Sequence, residues 1–327
     1  MNKPRLIFVP QLPTKMRYTE WWISEFCSNL EKYFSEIIVI GNKYLEQYQY
    51  PYYTPAVDDD GTFCNIHKSI TFETEQIKEY ADLDLQYDDI LLLADISFPG
   101  LFSSILYHKR PKKCFAICHG TSKNNHDIFE KDRSSKWQVE SGYAELFDKI
   151  FVGSEYHKHK LKWQDVKVIG MPNPPMKYSC DYDKEKTIDI LSVSRKTHQK
   201  VDAKIELAIE EEFGKITRKY INSWDMYFDT LSSAKILLIT AREETYGYQI
   251  VDCFKYGNGC VPLAPNCFSY PELLNDDYLY NRNDIEKSLF PKIEKILNGD
   301  LVFRKSHGHG DNSNSWYFEK LVTEMFK

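Results

Sequence analysis

Three short stretches of this chain carry residue types and spacings that could do chemistry. Residues 241–273 read AREETYGYQIVDCFKYGNGCVPLAPNCFSYPEL, with Glu244 and Asp252 eight positions apart across Tyr246, Gly247 and Tyr248. Carboxylates at that spacing can accept hydrogen bonds from a hydroxylated ligand. The glycine permits close backbone approach, and a helix starting near Tyr248 would aim its free N–H groups at an anion. Acidic residues also favour helix starts for the dipole alone, so this pair is equally compatible with simple capping. Residues 192–202 read SVSRKTHQKVD and place Arg195 and Lys200 five apart in a loop entering a helix. A guanidinium and an ammonium there suit two phosphate groups, although loops after strands also carry cations merely to stay solvated. Residues 117–127 read ICHGTSKNNHD and put His119 and Gly120 at the end of an apolar run. Catalytic groups gather at such strand ends in parallel sheets.

The elements that must position these residues are legible from periodicity. Apolar, β-branched runs at 5–10, 37–41, 89–95, 113–120 and 148–154 read as buried parallel strands, and 19–34 has helical spacing. Residues 168–187, with three prolines and no periodicity, break the rhythm. It then restarts with strands at 188–194, 234–240, 261–265 and 278–280. Helices are expected at 200–213, 216–233, 248–257, 282–298 and 312–326. The expected organisation is an N-terminal domain over 1–172, a linker over 173–187 and a second domain over 188–311. Helix 312–327 packs back on the first domain. In such α/β sheets ligands sit outside the carboxyl ends of the strands, and each of the three stretches directly follows a strand.

A length of 327 residues fits two domains, and 42% hydrophobic with 28% charged residues is ordinary for a globular chain. The net charge of −6 argues against coating nucleic acid indiscriminately. Lysines do cluster at 108–113, 157–162 and 194–200, which leaves a local basic surface open. Eight cysteines without CxxC spacing read as reduced thiols, not zinc ligands. The absence of any apolar run near the ~20 residues of a membrane helix sets the expectation of a cytoplasmic protein, bacterial or phage-encoded, with no stable membrane insertion.

Taken together, RKTHQK (195–200), ETYGYQIVD (244–252), CHG (118–120) and FDKIFVGSEYHKHKL (147–161) resemble the GT-B nucleotide-sugar glycosyltransferases of the retaining family 4 type. The resemblance covers about residues 113–290. Within it GCVPLAPNCFSYPELLNDDYLY (259–280) looks most similar to the tRNA-queuosine mannosyltransferase branch. It implies two Rossmann-like doubly wound domains facing each other across a cleft. It also implies that Arg195 and Lys200 hold the donor diphosphate, and that Glu244 contacts the sugar beside Tyr246, Gly247 and Tyr248. Asp252 would contact the ribose, and His119 the sugar near the reacting carbon, as catalytic partner of Glu244. No metal and no cofactor is implied beyond a co-substrate such as a UDP- or GDP-sugar. Three departures stand out: the N-terminal loop PQLPTKMRYTEWW lacks the family's glycine pair, Arg195 to Glu244 is shorter than usual, which implies an abbreviated strand–helix unit, and Asp252 replaces a glutamate. Lys15, Arg17, Lys123 and Asn124 are the candidate acceptor contacts. The expected acceptor is a hydroxylated modified base in DNA or tRNA. A cell-surface polysaccharide or lipid-linked glycan is the alternative, and a non-catalytic nucleotide-sugar-binding module a second.

Overall fold

The apolar runs form two separate parallel sheets. The computed structural model describes residues 3–14, 16–47, 66–96, 101–107, 109–124, 133–175, 184–194, 200–219, 221–303 and 314–327. Two compact units emerge. Met1–Asn124, Phe129–Pro172 and Ser313–Lys327 make the first, and the second is chiefly Asn173–Asn312.

The first unit holds strands β1 (Arg5–Val9), β2 (Glu36–Val39), β3 (Ile90–Leu93), β4 (Lys113–Cys118), β5 (Lys149–Val152) and β6 (Val166–Val168). They lie in the order β2-β1-β3-β4-β5-β6, all parallel. β3 (ILLL) is buried along its whole length and β4 (KCFAIC) at every position but Lys113. A strand covered by helices on both faces requires such continuous apolar composition. Helices α1 (Thr19–Leu30), α2 (Asn42–Gln47), α3 (Ile66–Asp82), α4 (Phe102–Tyr107), α5 (Arg133–Ala144) and α6 (Glu155–Leu161) connect them. The chain leaves β1 for β2 on one side and β3 on the other, so the topological switch point lies at the carboxyl ends of β1 and β3.

The second unit has β7 (Ile188–Leu191), β8 (Ala234–Leu238), β9 (Val261–Pro265) and β10 (Leu279–Tyr280) in the parallel order β10-β9-β8-β7. Its helices are α7 (Ala203–Phe213), α8 (Trp224–Ser232), α9 (Tyr248–Tyr256), α10 (Ile285–Ser288) and α11 (Phe290–Leu297). The helix expected over 216–233 begins only at Trp224, where Ser223 caps it through Met226 N. Ahead of it Thr217 makes a single parallel bridge to Leu191. Leu191 also pairs with Leu237 of β8, so Thr217 lies on the opposite side of β7. A strand–helix unit is thus reduced to one bridge, and the switch point of this sheet falls at the end of β7.

Helix α12 (Asn314–Phe326) belongs to the first unit and packs on α1. Phe318 meets Phe26 edge-on at 5.0 Å, and Asn314 donates to Glu25 at 2.7 Å. Its C-terminal carbonyls are received by two ammonium groups: Lys113 donates to Met325 O at 3.1 Å and Lys149 to Glu324 O. Cations at that end oppose the helix dipole and satisfy orphan carbonyls.

Candidate functional site

In the second unit the loops after β7 and β8 converge with the start of α9. Lys200 Nζ lies 3.2 Å from Glu244 Oε2 and 3.4 Å from Glu243 O. The other carboxylate oxygen, Oε1, accepts from Thr245 N at 3.0 Å and Tyr246 N at 3.3 Å. Burial would raise the Glu244 pKa, but Lys200 and the two amides outweigh it and hold the carboxyl below its usual value. Glu244 is therefore an anion fixed as an acceptor, beside a cation with further donors. Ser194, three residues after β7, exchanges hydrogen bonds with Gln249 in the first turn of α9 at 3.3–3.4 Å. Gly247 caps α9 at φ 97°, and a Cβ there would come within 2.9 Å of Leu273. Left-handed backbone and close packing together make this position a glycine. Tyr246 and Tyr248 stand edge to face, 5.0 Å apart, on either side of it. Arg195 lies outside the described residues.

Asp252, expected at the ribose, lies in the interior of the second unit. It is 0% exposed, and its Oδ2 accepts from Tyr227 OH of α8 at 2.9 Å. Position 252 is one turn into α9, where the helix face turns inward onto α8. Through Oδ2 the carboxylate joins α9 to α8 there.

In the first unit His119 directly follows β4. Its Nε2 lies 3.0 Å from Ala94 O, and its ring centroid 4.5 Å from that of Trp22. The ring keeps some surface, yet enough protein surrounds it that desolvation pushes its pKa down to about 4, against the smaller upward pull of Ala94 O. The following turn is rigid: Glu140 accepts from Ser122 N through both oxygens at 3.0 Å and from Ser122 Oγ at 2.6 Å. Asn124, expected to meet an acceptor, is 0% exposed and uses Oδ1 to accept from Thr121 N at 2.8 Å. It shapes the turn instead, because a buried side-chain amide beside an N–H satisfies that group first. Lys123 is exposed with its ammonium 4.7 Å from the Trp137 ring, and Arg17 is half-buried. Lys15 lies outside the described residues.

Sequence reasoning missed several positioning groups. Gln11 donates to Asp95 Oδ2 across the ends of β1 and β3, at the switch point. Glu73 of α3, pushed up to about 7 by burial and then by the charge of Asp95, lies near the same point. Arg282 donates to Asp202 at 2.6 Å and Ala241 O at 3.3 Å, tying the loops after β10 and β8 to the cap of α7. None belongs to a motif; their partners are between 22 and 84 residues away in sequence. Lone polar residues next to strand ends were the available signal.

No family model matches the chain. A tRNA-queuosine alpha-mannosyltransferase of Drosophila melanogaster is 27% identical over 139 residues, 38% of this chain and 36% of that protein. The chain therefore spans little more than a third of that relative. Among solved structures, sucrose-phosphate synthase from Thermosynechococcus elongatus superposes with a TM-score of 0.61 at 10% identity, covering 99% of this chain and 95% of the other. HepE of Anabaena, in complex with UDP-glucose, does so with a TM-score of 0.57 at 9% identity over 99% and 95%. The fold is the α/β GT-B fold of nucleotide-sugar glycosyltransferases.

Proposed function

We propose that this protein is a retaining, metal-independent glycosyltransferase that moves a sugar from a nucleotide-sugar donor to a hydroxyl acceptor. The observation that carries the reading is the Lys200–Glu244 pair at the ends of β7 and β8, beside the switch point and the amino end of α9. In transfer, the bond from the sugar carbon to the diphosphate oxygen breaks and a bond to the acceptor oxygen forms. Negative charge grows on the diphosphate, where Lys200, with Arg195, stabilises it without reorganisation. Glu244, kept ionised, accepts from sugar hydroxyls and orients the ring. The departing phosphate oxygen takes the acceptor's proton, so the protein need supply no separate base. Arg195, Lys200 and the start of α9 serve the donor diphosphate, His119 serves the sugar near the reacting carbon, and other residues of the first unit serve the acceptor.

We assign a hydroxylated modified base in DNA or tRNA as the acceptor, on the likeness to a tRNA-queuosine mannosyltransferase. One observation favours a glycan or lipid-linked acceptor instead. Lys109, Arg110 and Lys112 precede β4 and Lys113 opens it, whereas His119 follows it, and six strand residues span about 20 Å. Lys113 is moreover engaged with α12, and Arg110 lies 3.5 Å from Asp148. Transfer from a panel of labelled nucleotide sugars to queuosine-containing tRNA, hydroxymethylated DNA and a glycan acceptor decides. A nucleic-acid acceptor should lose affinity steeply with salt, log K falling by about 0.7–0.9 per neutralised phosphate for each tenfold rise in salt. Labelling of the glycan alone overturns the nucleic-acid assignment, and no labelling of any acceptor with any donor overturns the transferase.

A further inference from the structure

In the first unit one ammonium is presented at the carboxyl end of β4 with both backbone and head held. Lys123 follows β4 by five residues, in a turn closed by Asn124 N donating to Thr121 O at 2.9 Å. Its neighbours Ser122 and Asn124 are buried: Glu140 of α5 holds the first, and the second accepts from Thr121 N. Lys123 N donates to Thr121 Oγ1 at 3.3 Å, so the backbone bearing this exposed side chain is fixed. The head is seated as well. Its Nζ lies 4.7 Å from the centre of the Trp137 ring on α5, and Trp137 is stacked on Trp163 at 5.2 Å with the planes 6° apart. Trp163 Nε1 donates to Ser141 Oγ, one turn along α5 from Trp137. Lys136, next to Trp137 in the chain, brings a second ammonium within electrostatic reach of Glu140.

We propose that Lys123, seated on Trp137, is a contact for a backbone phosphate of a nucleic-acid acceptor. This rests on the reading of the protein as a glycosyltransferase of nucleic acid. A lysine head is a compact charge that suits a phosphodiester, and a seated one loses less rotamer freedom on meeting it than an unrestrained one. Among the described residues the ammonium meets a ring and no carboxylate, so its charge stays available. A chain with a net charge of −6 needs such local cations to approach an anionic polymer. The run at Lys109, Arg110 and Lys112 lies at the other end of β4, whereas Lys123 shares the strand end occupied by His119. A lipid surface would find little to hold here. Among the described residues, the exposed side chains of α5 are Ser135, Lys136, Gln138 and Val139, a single apolar group.

The test is binding of queuosine-containing tRNA to the full chain, without donor, followed by fluorescence anisotropy across a salt series. Lys123→Gln should weaken binding several-fold at low salt and make the slope of log K against log salt shallower by about 0.7–0.9, the share of one phosphate. Lys123→Arg should keep the slope. Trp137→Leu should weaken binding as Lys123→Gln does, with the double variant no weaker than either alone. Trp137→Phe, which keeps a ring under the ammonium, should stay near wild type. Replacing Lys109, Arg110 and Lys112 together by Gln should leave the slope as it is. Lys123→Gln with unchanged slope and affinity overturns the proposal, as does a Trp137→Leu variant that binds like the wild type. So does a wild type that binds no tRNA, or one that instead attaches through Lys123 to vesicles of anionic lipid. If Trp137→Leu does not fold, Lys123→Gln decides. Binding that depends on Lys123 with no sugar transferred from any donor would sink the transferase reading and leave the phosphate contact standing. Transfer to a glycan without tRNA binding would do the reverse.

Discussion

At the scale of residues, Lys200 and Glu244 have opposite charge and should fail differently. On the proposed reading, Lys200→Ala removes a charge-assisted contact to the donor diphosphate. Such contacts are worth about 1.5–3 kcal/mol, so affinity for the nucleoside diphosphate should fall roughly ten- to a hundredfold. Glu244→Gln keeps the shape but weakens the acceptor proposed for the sugar. It should lower kcat more than it weakens nucleoside diphosphate binding. Calorimetry with the free nucleotide alongside single-turnover transfer separates the two, and equal loss of nucleotide affinity in both variants would show that Glu244 faces the diphosphate. Both residues were legible in the sequence because a cation and a carboxylate directly after strands are the groups such sheets present to ligands.

At the scale of elements, α8 and α9 are joined by the Tyr227–Asp252 hydrogen bond in a dry interior. Tyr227→Phe deletes the donor and leaves a buried carboxylate oxygen short of a partner, which destabilises by about 1–3 kcal/mol. Thermal melting should drop by several degrees, at about 2–4 °C per kcal/mol for units of this size, while donor affinity changes little. A variant of unchanged stability with tenfold weaker nucleotide binding would return Asp252 to the ribose. Spacing alone placed Asp252 beside the ligand. Packing decided otherwise, since the face of α9 that carries Asp252 is the one laid against α8, where Tyr227 reaches it.

At the scale of the whole molecule, acid stability is a sum of opposed groups. Burial holds His119 at about 4 and His157 at about 3 in the folded chain, so the unfolded chain binds more protons below its midpoint of about 6.5. Stability therefore falls as pH drops from about 6.5 towards 4. Glu73, raised to about 7, works the other way between about 7 and 4.5, where the folded state holds the extra proton. His157→Phe should flatten the acid loss and Glu73→Gln should steepen it. Melting curves at half-unit steps across that window test both, and parallel shifts of all three proteins would contradict these pKa directions.

What the sequence by itself determined is whatever depends on local pattern. Continuous apolar runs become buried parallel strands, Gly247 stands where a helix starts, and a cation and a carboxylate, Lys200 and Glu244, follow two of those strands. These features need only the periodicity of neighbouring residues and the backbone freedom of one glycine. Tertiary structure alone decided which polar groups were consumed inside. Asn124 closes its own turn, Asp252 is held by Tyr227, and Lys113 ends α12. It alone also brought Trp22 onto His119 and Gln11 onto Asp95, pairs separated by 97 and 84 residues. The physical reason is that a polar side chain satisfies whichever partner packing places within 3 Å, and a one-dimensional pattern carries no record of that partner.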